Sequence, residues 1–178
     1  MANLLTAVRL VLAIPVALGF ANSGFLSGWV LLLLIIIACV TDFFDGKLAR
    51  ATNTTSAKGQ LFDHTTDFIF VTLALTGCAI FGLINPYLPA LILIAFSQYV
   101  IDSYYLHKQK ELKMSFLGRW NGILYFGPLI FLAVSRLGLG EDSKELMEQM
   151  GSIFAWILSA STLLSIIDRG LAPLRKSD

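Results

Sequence analysis

The sequence predicts an all-α integral membrane protein with six transmembrane helices. Two observations point there. The 178 residues are 56% hydrophobic and only 14% charged, with a mean hydropathy of +0.74, whereas a soluble domain carries about 25% charged residues. The apolar residues also fall into long runs broken by short polar links, as expected of a polytopic chain. Within one such link and its flanks, four aspartates (Asp42, Asp45, Asp63 and Asp67) stand beside some of the most apolar sequence in the protein.

A hydrocarbon core of about 30 Å takes about 20 apolar helical residues to cross. The first span is expected from Leu4 to Phe20 and contains Arg9. It reads as a retained span rather than a cleaved signal peptide, because no small-residue cleavage site and soluble domain follow it. The second runs from Leu26 to Phe44 through "WVLLLLIIIACV", and the third from Leu61 to Ile84. Pro86 then marks a turn. The fourth runs from Tyr87 to Leu106, the fifth from Phe116 to Leu137 and the sixth from Ile153 to Ile167. No composition shift divides the chain, so residues 1–178 are read as one membrane domain. Cys39 and Cys78 lie inside apolar runs and read as packing residues. In "LGEDSKELMEQM", residues 139–150, Asp142 with Glu145 three positions on reads as a cap opening a solvated helix start.

Lys and Arg bias sets the orientation. The links at 21–24 and 85–86 carry none. The link 45–60 has Lys47, Arg50 and Lys58. The link 107–119 has Lys108, Lys110, Lys113 and Arg119, and the tail has Arg169, Arg175 and Lys176. In the link 136–150, Arg136 and Lys144 are offset by four acidic residues. Basic and poor links alternate, which predicts both termini and the aspartate-rich stretch on the cytoplasmic side. A net charge of +1 without a basic stripe argues against a nucleic-acid partner.

Asp42 and Asp45 are spaced i, i+3, and Asp63 and Asp67 are spaced i, i+4, so each pair shares a helix face. Two helices joined by a short link can bring the faces together. Four converging carboxylates repel one another and are costly to desolvate. Divalent cations remove that cost, and oxygen-only ligands suit Mg²⁺ or Mn²⁺ better than zinc. Two such ions bridged by carboxylates bind phosphate or pyrophosphate. The residues between agree. Gly46 and Gly59 allow close approach, Arg50 can fork onto phosphate oxygens, and Ser56 offers a hydroxyl. The plainer reading, charges that only mark helix ends, does not account for these spacings together.

Asp42, Asp45, Gly46, Ala49, Arg50, Gly59, Asp63 and Asp67 meet D-x₂-D-G-x₂-A-R-x₈-G-x₃-D-x₃-D at every interval. This stretch resembles the signature of the CDP-alcohol phosphatidyltransferases. The opening "NLLTAVRLVLAIPV" is also similar to the N-x-x-T-x-x-R start of many members, with Asn3, Thr6 and Arg9 on one helical face. The resemblance implies a six-helix homodimer with a polar cavity open to the cytoplasm. It implies two divalent metals held by the four aspartates, Asp67 serving also as general base. Asp42, Gly46, Arg50, Ser56 and Gly59 would hold the CDP group of a donor such as CDP-diacylglycerol. The reaction implied is transfer of a phosphatidyl group to the hydroxyl of a small polar alcohol, releasing CMP.

This chain departs from the pattern in places. Many members carry a small residue or proline after the third aspartate and a basic residue after the fourth; here His64 and Phe68 stand there. His64 reads most plainly as a bystander facing the loop, and more sharply as a substrate contact. The segment "LGRWNGILYF" does not match the "GKxKTxxQ" of glycerophosphate-transferring relatives. Lys110, Lys113 and Arg119 are candidates for an acceptor's phosphate, or else positive-inside charge meeting lipid headgroups. Gln98 and Asp102 are polar residues within a span, hence functional candidates, with helix packing the alternative. Asp168 and Arg169 read as an interface charge pair. Glycerol 3-phosphate is the first expectation for the acceptor. Inositol phosphate or another polar alcohol follows, and then a soluble CDP-alcohol donor with diacylglycerol as acceptor. A transporter with a carboxylate ion path is the rival from another class, but it predicts carboxylates near the midplane and discontinuous helices.

Overall fold

The computed structural model describes residues 2–51, 57–101 and 116–171, with side chains described for 6–44, 59, 61–101 and 117–171. Among the described residues every regular element is a helix. They are α1 (Ala2–Ala21), α2 (Gly28–Ala51), α3 (Ala57–Ile80), α4 (Tyr87–Ile101), α5 (Phe116–Leu124), α6 (Phe126–Val134) and α7 (Glu141–Leu171).

The helices bury the opposite face from a water-soluble bundle. On α1, Thr6, Arg9, Ala13, Val16 and Phe20 recur at helical spacing and are buried, while Val11, Ile14 and Leu18 face out. On α7 the inward residues are small or polar (Ala155, Ser159, Thr162, Ser165), and Ile153, Trp156, Ile157 and Leu164 point outward. Small and hydroxylated residues inside with large apolar ones outside is the arrangement of helices packed in lipid. The α5–α6 stretch Leu117–Val134 and α7 are each long and apolar enough to cross a membrane; Thr6–Ala21, Gly28–Phe44 and Tyr87–Ile101 are shorter apolar helices.

Local chemistry sets the boundaries. α3 ends in a Schellman turn: Leu83 N–H donates to the Cys78 carbonyl at 2.9 Å and Gly82 N–H to Ala79 at 3.0 Å, with Gly82 at φ +81°. The expected end at Ile84 is therefore four residues late. Asn85 Oδ1 accepts from Leu88 N–H at 3.1 Å and caps α4, with Pro86 in the first turn, where its missing N–H costs nothing. The expected fifth span is split at Tyr125, because Pro128 has no N–H to offer the Leu124 carbonyl. The sixth begins well before Ile153: α7 opens at Glu141, after Gly140 at φ +100°. Asp142 is thus not the cap. It lies in the first turn, where a carboxylate still complements the helix dipole.

α1 packs chiefly on α3 and α2, and α7 on α6 and α4. At the α1–α3 contact a Cβ on Gly77 would meet the Ala17 carbonyl oxygen at 2.2 Å, so only glycine allows this approach. Arg136, expected as one charge among several in a link, instead reaches α1. Its guanidinium donates to the carbonyls of Gly19 at 2.6 Å and Phe20 at 3.0 Å and lies over the rings of Phe20 and Phe81. It satisfies carbonyls that the end of α1 leaves open. Cys39 and Cys78 are free thiols, with Cys78 in the core.

Candidate active site

α2 and α3 bring Asp42, Asp63 and Asp67 to the lining of a cavity of about 610 Å³. The expected convergence of the two carboxylate pairs is therefore seen for three members. Asp63 and Asp67 sit in the second and third turns of α3 rather than at its first residues, since α3 starts at Ala57. Asp42 is the most open of the three, with its side chain 47% exposed against 28% and 29% for Asp63 and Asp67.

At the centre of the three carboxylates lies Arg9 of α1, fully buried. Its Nη1 donates to Asp42 Oδ1 at 2.7 Å and also to Asp67, and its Nη2 donates to Asp63. An arginine in an apolar helix is expensive unless paired with carboxylates, and α1 docks where three are available. In the sequence Arg9 stands out only through the N-terminal resemblance, which attaches no role to it. The signal that could have found it is the cost itself: an arginine inside an apolar run needs an acidic partner, and the cluster at 42–67 is the natural source.

Among the described side chains, one guanidinium meets three carboxylates, an excess of negative charge. The donor set is carboxylate oxygen, which suits hard divalent cations. Ligand atoms of Asp63, His64 and Asp67 lie within 4.8 Å of one another. These residues fit a divalent-cation site. His64 lines the cavity beside the carboxylates.

Phe68, where relatives carry a basic residue, stacks on Phe96 of α4 with ring centroids 4.0 Å apart. Both rings line the cavity next to the carboxylates. α4, α5 and α7 complete the cavity lining. Arg119 and Asn121 of α5 face the cavity, as do Gln98 and Tyr99 of α4. Arg169 does too: its guanidinium lies 5.2 Å from the Tyr99 ring centroid, so it belongs to the cavity and not merely to a charge pair at the interface.

Gly59 lies in the first turn of α3. Asp45, Gly46 and Arg50 continue the backbone of α2, but their side chains lie outside the described set. Ser56, Asp102, Lys110 and Lys113 lie outside the described residues, as does the side chain of Asn3.

Residues 1–167 match the family model described as CDP-alcohol phosphatidyltransferase. The chain is 30% identical over 154 residues to a CDP-diacylglycerol--glycerol-3-phosphate 3-phosphatidyltransferase of Cereibacter sphaeroides, covering 84% of this chain and 68% of that protein. A protein of the same name from Rickettsia felis is 26% identical over 169 residues, covering 92% and 89%. A CMP-forming cardiolipin synthase of Streptomyces coelicolor is 26% identical over 133 residues, covering 72% and 58%.

Proposed function

The chain belongs to the CDP-alcohol phosphatidyltransferase family, and we propose that it transfers the phosphatidyl group of CDP-diacylglycerol to a hydroxyl of glycerol 3-phosphate, releasing CMP. The observation that carries this reading is the mixed charge of the cavity lining. The carboxylates of Asp42, Asp63 and Asp67 and the cations of Arg119 and Arg169 line the same cavity. That combination suits a pyrophosphate held through metal ions together with a phosphorylated acceptor. The printed names of several relatives favour glycerol 3-phosphate as that acceptor.

Asp42, Asp45, Asp63 and Asp67 would hold two divalent cations, Mg²⁺ or Mn²⁺, with His64 near enough to add a nitrogen ligand. When bound, such ions neutralise charge on the pyrophosphate and on the departing CMP. Gly46, Arg50, Ser56 and Gly59 would hold the CDP group from the α2–α3 side. Asp67 takes the proton of the acceptor hydroxyl as its oxygen attacks the donor's β-phosphorus. One P–O bond forms to the acceptor, the P–O bond to CMP breaks, and the proton on Asp67 passes to solvent. Lys110, Lys113, Arg119 and Arg169 would draw the acceptor's phosphate in. Arg9 fixes the carboxylates in one arrangement.

In this reading residues 1–178 form one membrane domain of six spans, with both termini and the cavity mouth facing the cytoplasm. The outward apolar faces of α1 and α7 support embedding in lipid, and the alternation of basic links supports the sidedness. A homodimer is the assembly the family resemblance implies. The test is incorporation of labelled glycerol 3-phosphate into organic-extractable lipid by purified protein with CDP-diacylglycerol and Mg²⁺. Incorporation from labelled inositol phosphate instead would move the acceptor and keep the reaction class.

A further inference from the structure

The departure from the family pattern at His64 places an imidazole among the carboxylates. Asp63, His64 and Asp67 share just over one turn of α3. Ligand atoms of the three lie within 4.8 Å of one another. Two ligands across one divalent cation, at about 2.1 Å each, stand roughly 4.2 Å apart. The three groups thus lie close to the spread that a single ion spans. His64 also lines the same cavity as Asp42, Asp63 and Asp67, so it borders the space in which a cation and a pyrophosphate would meet.

The neighbouring contacts leave these ligand atoms available. Arg9 engages Oδ1 of Asp63 and Oδ1 of Asp67, and each carboxylate keeps its second oxygen for another cation. Among the described residues no hydrogen bond or ion pair engages the His64 ring. A neutral imidazole always carries one nitrogen lone pair, and histidine is the commonest metal ligand among side chains. The plainer reading is a ring that meets only water in the cavity. It gives the closeness of His64 to Asp63 and Asp67 no use.

Resting on the metal-site reading above, we infer that His64 supplies a nitrogen ligand to one of the two cations and biases that position toward Mn²⁺ over Mg²⁺. The donor set decides the direction. Mg²⁺ is a hard ion held through oxygen, whereas imidazole suits first-row transition metals and carboxylates accept Mn²⁺ as readily as Mg²⁺. Two carboxylates with one imidazole therefore favour Mn²⁺, while a serine or proline at this position leaves an all-oxygen set that does not separate the two ions. The neutral ring also brings no charge of its own. The ion keeps more of its positive charge for the pyrophosphate than a further carboxylate would leave it.

The test loads Mn²⁺ onto chelator-treated, purified protein without a histidine tag and reads the bound ion by electron spin-echo envelope modulation. Wild type is expected to show nitrogen modulation from a coordinated imidazole. Growth on ¹⁵N-labelled histidine should change that pattern, which identifies a histidine ligand with no substitution in the chain. His64→Ser should abolish the modulation, and His107→Gln, at the chain's other histidine, should keep it. Losing even an outer partner of a metal ligand costs about 10- to 100-fold in affinity, so His64→Ser should lower Mn²⁺ affinity by at least about 10-fold. Mg²⁺ affinity, read by competition against bound Mn²⁺, should change little. Thermal unfolding in chelator checks that the variant folds as wild type. Bound Mn²⁺ with no histidine modulation, modulation that survives in His64→Ser, or equal losses for both ions in that variant overturns the ligand role while the carboxylate metal site stands. Folded wild type that binds neither ion overturns the metal site and the inference with it.

Discussion

Arg9 Nη1 lies 2.7 Å from Asp42 Oδ1, joining the first helix to the carboxylate cluster of the second and third. The same guanidinium meets Asp63 and Asp67. α1 is thus more than packing: it supplies a fixed cation that lets three carboxylates approach one another. Arg9→Met keeps the length and apolar stem while removing the charge. Breaking a buried ion pair from one side costs about 3–5 kcal/mol, so the variant is expected to unfold at a clearly lower temperature in chelator. Mg²⁺ restores positive charge at the cluster, so its addition should raise the variant's Tm by more than that of wild type. An equal Mg²⁺ gain in both proteins would show that Arg9 does not balance the carboxylates.

Asp67→Asn keeps the size of the side chain and removes its basicity. Loss of a general base costs about 10²- to 10⁴-fold, so CMP release should fall at least 100-fold while the protein keeps its unfolding temperature within a few degrees. Activity near that of wild type would assign the proton transfer to another group.

Metal removal should act on binding as well as turnover. Affinity for CDP-diacylglycerol, measured by displacement of a fluorescent CDP-lipid, is expected to drop at least 10-fold in chelator and to recover with Mg²⁺ or Mn²⁺. Asp42→Ala should weaken binding to a similar degree and blunt the response to metal. The same affinity with and without chelator would remove the ions from donor binding.

Arg136 closes the other end of α1, far from the carboxylates. Arg136→Ala deletes two charge-assisted bonds to the Gly19 and Phe20 carbonyls and the stacking on Phe20 and Phe81. The expected loss is about 2 kcal/mol, seen as a lower Tm, with the KM for CDP-diacylglycerol unchanged. A variant as stable as wild type would show that solvent replaces the guanidinium at no cost.

Much of the site is local in sequence, and that part is legible there. Asp42, Asp63 and Asp67 belong to one 26-residue stretch, and the i, i+4 spacing of Asp63 and Asp67 already places that pair on one helix face. The helices are legible for a similar reason, since runs such as "WVLLLLIIIACV" leave little else for the chain to form. What sequence spacing does not carry is pairing between distant helices. Arg9 meets partners 33 to 58 residues away, Asn121 meets Ser161 40 away, and Arg136 meets Gly19 117 away. Each depends on how helices dock, which apolar runs leave open. Boundaries are legible only where their chemistry is strong. Asn85 and Pro86 mark the start of α4 plainly, whereas the amphipathic first turns of α7 carry enough charge to resemble a link.

The most direct test of the central claim is CMP release from CDP-diacylglycerol by purified protein in detergent with Mg²⁺, against glycerol 3-phosphate, inositol phosphate, inositol, serine and no acceptor. The account predicts release that requires glycerol 3-phosphate, requires the metal and is lost in Asp67→Asn. Folded protein that binds no CDP-diacylglycerol and releases no CMP with any acceptor would contradict it.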